Sequence, residues 1–135
     1  MIMELAVGDA AEIIRQINET DINNFAELTW DRNPVHIDEE KAKKSVFGNR
    51  VAHGLLVGSL IGSVIGTKLP GEGTVYMEQD FRFLYPVYIG DICTARVEVE
   101  EIINQEKGIY RLKTVVRNQN MKDVIDGYAV VKYLA

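Results

Sequence analysis

A carboxylate and an imidazole stand five positions apart at Asp31 and His36, with Asn33 and Pro34 between them. The chain has two histidines, and the second, His53, precedes Gly54, where a long apolar segment begins. A carboxylate and an imidazole that share one water can pass protons in both directions. A backbone N–H at the start of a helix can stabilise negative charge growing on a carbonyl oxygen. Together these parts suit proton transfer beside a carbonyl group. Each also has a plainer use. Asp31 can cap a turn through the backbone near Asn33. His36 taken alone is an ordinary surface or core histidine, His53 can support the start of a helix, and Gly54 can be only a helix-start glycine. The spacing across a proline turn is what makes a shared water feasible.

The elements on either side must position these groups. Residues 10–17 predict a strand, and Thr20 or Asp21 caps a helix over 21–30 with Ile22, Phe25 and Leu28 on one face. That helix must end before Asn33-Pro34, because proline disfavours a helical residue before it. Asp31 then sits at a helix end and His36 just past a constrained turn. Asp38 can cap a short helix over 39–45, and Phe47-Gly48-Asn49 reads as a loop. From Gly54 to Lys68 the chain is apolar nearly all round, the mark of a buried helix. It is too short for a bilayer, which needs about 20 apolar residues. Gly54, Gly58, Gly62 and Gly66 recur on one drifting face of this helix. Each interior glycine costs roughly 1 kcal/mol relative to alanine, so close approach of a neighbour must compensate. Residues 74–87, 91–103, 108–119 and 123–134 alternate apolar with polar and are separated by turn-like stretches. Four consecutive antiparallel strands, joined by a fifth from the N-terminus, then face one buried helix. The expected class is α+β: a hot-dog fold, in which a curved antiparallel five-stranded sheet wraps around a long central helix.

The 135 residues predict a single domain over 1–135. With 47% hydrophobic and 26% charged residues, the chain is neither disordered nor a membrane protein by composition. The net charge is −5 and the pI about 5.0. Without a basic run, nucleic acid is not an expected partner, and neither is a membrane. Lys41, Lys43 and Lys44 read as a solvated face. Cys93 is alone, so no internal disulfide is possible, and its alternating surroundings predict a buried thiol. No CxxC or HExxH occurs, and two histidines are too few for most zinc sites, so no metal is expected. The first 13 residues have no basic region and no long apolar core, so they do not read as a signal peptide, and the expected compartment is the cytoplasm.

The segment from Phe25 to His36, with Ala42 beyond it, resembles the hydratase-2 motif of the MaoC-like family, and more narrowly its short (R)-specific enoyl-CoA hydratases. The resemblance continues through Phe47-Gly48, Val51 to Leu56, Leu69 to Gly73 and Phe81 to Asp91, and so covers nearly the full length. It implies a hot-dog homodimer that hydrates trans-2-enoyl-CoA to (R)-3-hydroxyacyl-CoA without a cofactor, CoA being part of the substrate. It implies Asp31 and His36 as the catalytic pair and Gly54 as the donor of a backbone N–H to the thioester oxygen. Asn33, His53, Leu55, Gly58 and Gly62 are the candidate substrate-binding residues, with Asn33 and Pro34 shaping the catalytic loop. One position departs from the pattern. Trp30 stands where glycine or another small residue is common, and a bulky indole there is expected to alter the loop or narrow the acyl pocket. The same catalytic pair would serve a 3-hydroxyacyl-ACP dehydratase of fatty acid synthesis. An acyl-CoA thioesterase would need water aimed at the carbonyl carbon, which this motif argues against. A non-catalytic acyl-thioester-binding module is the remaining alternative, and the intact pair counts against it.

Overall fold

Alternation in the second half of the chain produces a sheet with one dry face. A computed structural model describes residues 4–134; the expected domain and N-terminal reading also include residues 1–3 and 135, which lie outside the described residues. In chain order the elements are β1 (Ala10–Gln16), α1 (Glu19–Thr29), α2 (Pro34–Ile37), α3 (Glu39–Lys43), α4 (Gly54–Thr67), β2 (Val75–Gln79), β3 (Arg82–Phe83), β4 (Ile92–Asn104), β5 (Ile109–Arg117) and β6 (Asp123–Lys132). The strands pair antiparallel in the order β1-β4-β5-β6-β2, with β3 also on β6. Along β4, Cys93, Ala95, Val97 and Val99 are fully buried while Arg96 and Glu98 point away. Leu112 and Val116 of β5 and Ala129 and Val131 of β6 continue that inner face. Against it packs α4, through Val57, Leu60, Ile61, Val64 and Ile65. This is the hot-dog arrangement, an open sheet packed over one central helix.

The expected strand over 74–87 is broken, so the sheet has six strands. A register shift falls between Tyr76 and Glu78, and the break itself at Asp80-Phe81. Here the Asp80 carbonyl runs over Gly127 of β6, where a Cβ would lie 1.9 Å from the oxygen. A bulge of this kind re-aims side chains, and its effect is to lay Phe81 and Phe83 over α4.

The cap of α1 is Asn18, not Thr20 or Asp21. Asn18 Oδ1 accepts from the Asp21 N–H at 2.9 Å, and Asp21 returns the bond to the Asn18 N–H at 2.9 Å. This reciprocal box satisfies two otherwise orphaned donors. Asp38 caps α3 through the Lys41 N–H at 3.0 Å, as expected. The central helix is less enclosed than its composition predicts. Leu55 is 61% exposed, and Ser59, Ser63 and Gly66 are exposed along the same side. No helix among the described residues is long and apolar enough to cross a membrane.

Candidate active site

The loop after α1 is built from backbone turns that Asp31 and Asn33 close themselves. Trp30 caps α1 in the left-handed conformation, at φ 65°, and its N–H reaches the Ala26 carbonyl. Asp31 Oδ1 then accepts from the Asn33 N–H at 3.2 Å, and Asn33 Oδ1 accepts from the Val35 N–H at 3.3 Å. Pro34 starts α2 with its φ already suited to a helix. The turn-capping use of Asp31 is therefore real, and it occupies one oxygen; Oδ2 makes no hydrogen bond among the described residues.

Two residues of the segment before α4 hold this loop. His36 Nδ1 lies 2.7 Å from the Val51 carbonyl. A carbonyl only accepts, so Nδ1 carries a proton, and in the neutral ring Nε2 keeps its lone pair. His53 Nε2 lies 2.9 Å from the Asp31 backbone carbonyl, so this ring is protonated at Nε2 instead. The two imidazoles stack at 3.9 Å and 27°, in opposite tautomers. Phe25 packs on His53 at 4.8 Å. His53 is 2% exposed, and its Nδ1 is buried without a partner among the described residues. Burial pushes its pKa below the ordinary 6.5, the nearby His36 adds to this, and the Asp31 carbonyl and carboxylate oppose it. It is therefore a neutral prop for the Asp31 backbone.

One donor atom from each of Asp31, His36 and His53 lies within 4.8 Å of the others. Two hydrogen bonds of about 2.8 Å span such a gap, so the spacing leaves room for one water between carboxylate and imidazole. A metal ion fits the set poorly. The stacked rings hold their lone pairs in nearly parallel planes, which do not meet at the roughly 2 Å that a metal–nitrogen bond needs.

These groups open onto a cavity of about 590 Å³. It is lined by Asp31, Asn33, His36, His53, Gly54 and Leu55 together with Phe83, Leu84, Tyr85 and Val87. Gly54 is the first residue of α4, and no side chain caps that end. Its first-turn N–H groups therefore have no intrahelical acceptor. A Cβ at Gly54 would lie 2.7 Å from the Phe83 ring, so glycine keeps the N-terminus open beside the wall. Gly58 and Gly62 are not among the lining residues. A Cβ at Gly58 would meet Phe81 at 2.8 Å and one at Gly62 would meet Tyr76 at 3.7 Å, so their neighbours are packed rings from the β2–β3 region. The stripe drifts around the helix, and only its first member faces the cavity. Trp30 is 79% exposed and does not line the cavity, so the expectation that its indole narrows the pocket fails. The aromatic wall of Phe83 and Tyr85 was legible only as strand, because the break that turns it inward leaves no local mark.

Comparison with known proteins agrees with this geometry. A sequence profile of the MaoC like domain matches residues 8–121. A 3-hydroxybutyryl-CoA dehydratase of Methylorubrum extorquens is 42% identical over 96% of this chain and 81% of its own length. An (R)-specific enoyl-CoA hydratase of Rhodospirillum rubrum is 40% identical over 95% of this chain and 88% of its own. The solved structure of R-hydratase PhaJ1 from Pseudomonas aeruginosa superposes with a TM-score of 0.90 at 44% identity, over 95% of this chain and 81% of that one. With the Asp31–His36 loop, the open start of α4 and the wrapped helix all in place, the chain belongs to the MaoC-like family.

Proposed function

We propose that this chain is an (R)-specific enoyl-CoA hydratase, a hydro-lyase that reversibly adds water to trans-2-enoyl-CoA to give (R)-3-hydroxyacyl-CoA. The observation that carries the reading is the placement of Asp31 and His36 together on one largely apolar cavity, with the open N-terminus of α4 in the same lining. Asp31 and His36 hold the water. As its oxygen bonds to Cβ, one proton passes to the catalytic pair, and Cα receives a proton from the pair. Both parts arrive from one side, so the addition is syn. Charge that develops on the thioester oxygen is met by the Gly54 N–H at the positive end of the helix. Loss of one such donor typically costs about 3–4 kcal/mol in the transition state. Asn33 shapes the loop, His53 fixes the Asp31 backbone, and Leu55 contributes apolar wall. The reaction as written uses no cofactor.

The working unit in this reading is one domain paired with a second copy as a homodimer. The outer edge of β2 has no strand beside it among the described residues, and Val75, Tyr76 and Met77 are 56%, 44% and 54% exposed there. Pairing of edges between copies would cover this liability. The proposed compartment is the cytoplasm, in keeping with a lone buried thiol at Cys93.

The test is loss of enoyl-thioester absorbance with crotonyl-CoA. Wild-type protein is expected to consume it, and Asp31→Asn to slow turnover by about 100-fold or more while keeping the Asn33 turn bond through its amide oxygen. Wild-type turnover in the variant would rule out the mechanism. Faster reaction with a carrier-protein thioester than with the CoA thioester would move the assignment to the acyl-ACP dehydratase.

A further inference from the structure

We infer that Arg50 is a positioning residue for His36; the inference rests on the reading that His36 moves protons in this site. The Arg50 side chain is 9% exposed and sends its donors to three separate places. Nε donates to the His36 backbone carbonyl at 2.6 Å, one terminal nitrogen donates to Glu19 Oε1 at 2.7 Å, and the other donates to Asn23 Oδ1 at 2.9 Å. Glu19 and Asn23 lie at the start of α1 and His36 lies in α2. One guanidinium thus joins the two helices that flank the Asp31 loop. The next residue completes the hold. The Val51 N–H donates to the Val35 carbonyl at 3.1 Å, and the Val51 carbonyl accepts from His36 Nδ1–H at 2.7 Å. Residue 51 is anchored in turn by its bridge to Tyr88, and residue 52 by its bond to the Val87 carbonyl at 2.7 Å.

His36 is therefore gripped at its backbone oxygen by Arg50 and at its ring by Val51, from one rigid dipeptide. Removal of the guanidinium leaves the His36 carbonyl and both α1 acceptors without their shared donor. The ring then loses its fixed aim and its fixed tautomer. Lysine cannot substitute, because a point charge with one nitrogen does not reproduce a planar fork aimed at three acceptors. Arg50 also borders a second cavity of about 300 Å³, lined with Glu19, Glu39 and Asn49.

The experiment uses full-length Arg50→Ala and Arg50→Lys. Crotonyl-CoA kinetics are measured alongside nitrogen NMR of protein labelled at histidine, where the two rings give separate signals. Arg50→Ala is expected to lower kcat by about 100-fold with KM changed less than about threefold. Its His36 signals are expected to leave the Nδ1–H tautomer while those of His53 stay in place. Added methylguanidinium restores part of kcat to Arg50→Ala, and Arg50→Lys remains impaired. A folded Arg50→Ala with unchanged His36 signals overturns the inference, whatever its turnover. If Arg50→Ala does not fold, Arg50→Lys, which keeps the charge but lacks the fork, must show the same change in the His36 signals. Absence of turnover in the wild type would count against the hydratase reading alone, since the His36 signals report on Arg50 independently of activity.

Discussion

His36 and His53 touch face to face, yet their surroundings give them opposite work. His36 is partly exposed, with Nε2 making no hydrogen bond among the described residues, whereas His53 is sealed under Phe25. Burial lowers the pKa of His53 below 6.5, so between that lowered value and 6.5 the unfolded chain binds more protons at this position than the folded one. Stability must then rise with pH through that window and decline as pH falls below 6.5. Thermal unfolding followed from about pH 7 to 5 checks this. His53→Gln can donate to the Asp31 carbonyl without titrating, so it should flatten the acid limb; identical slopes in both proteins would refute the assignment. Asp31 and His36 were legible at this scale, their residue types and spacing suggesting a shared water and the family resemblance singling them out as the proposed catalytic pair. Arg50 was not, because its partners lie 14, 27 and 31 positions away and an arginine in a loop carries no periodic signal.

Among the elements, the end of α1 shows how a local conflict becomes visible only in three dimensions. Trp30 occupies a left-handed conformation, which costs an L-residue about 1 kcal/mol or more and costs glycine almost nothing. This explains the preference for a small residue there better than pocket size does, since the indole points to solvent. Trp30→Gly is expected to raise stability by about 1 kcal/mol, read as an increased Tm. A lowered Tm would mean that the indole has contacts beyond those within one chain. The regular glycines of α4 were legible as a close-approach face, but not what approached. Gly54 and Gly58 meet aromatic rings, while nothing comes within 4 Å of a Cβ at Gly66. Those rings come from the broken β2–β3 segment, whose alternation reads as one strand because a break over Gly127 depends on a partner about 50 residues away.

At the scale of the molecule, a strand-rich half and one apolar helix were enough to anticipate the hot-dog fold. The strand order was beyond the sequence, because β2 pairs with the last strand and not with its neighbour in the chain. That pairing leaves β2 at an edge, and a homodimer is the expected state. Sedimentation equilibrium should return about twice the 15.2 kDa chain mass, and a monomer across working concentrations would contradict it. The most direct test of the whole account is chiral analysis of the product formed from crotonyl-CoA. The proposed activity predicts (R)-3-hydroxybutyryl-CoA; the (S) product, or free CoA released by hydrolysis, would contradict the account.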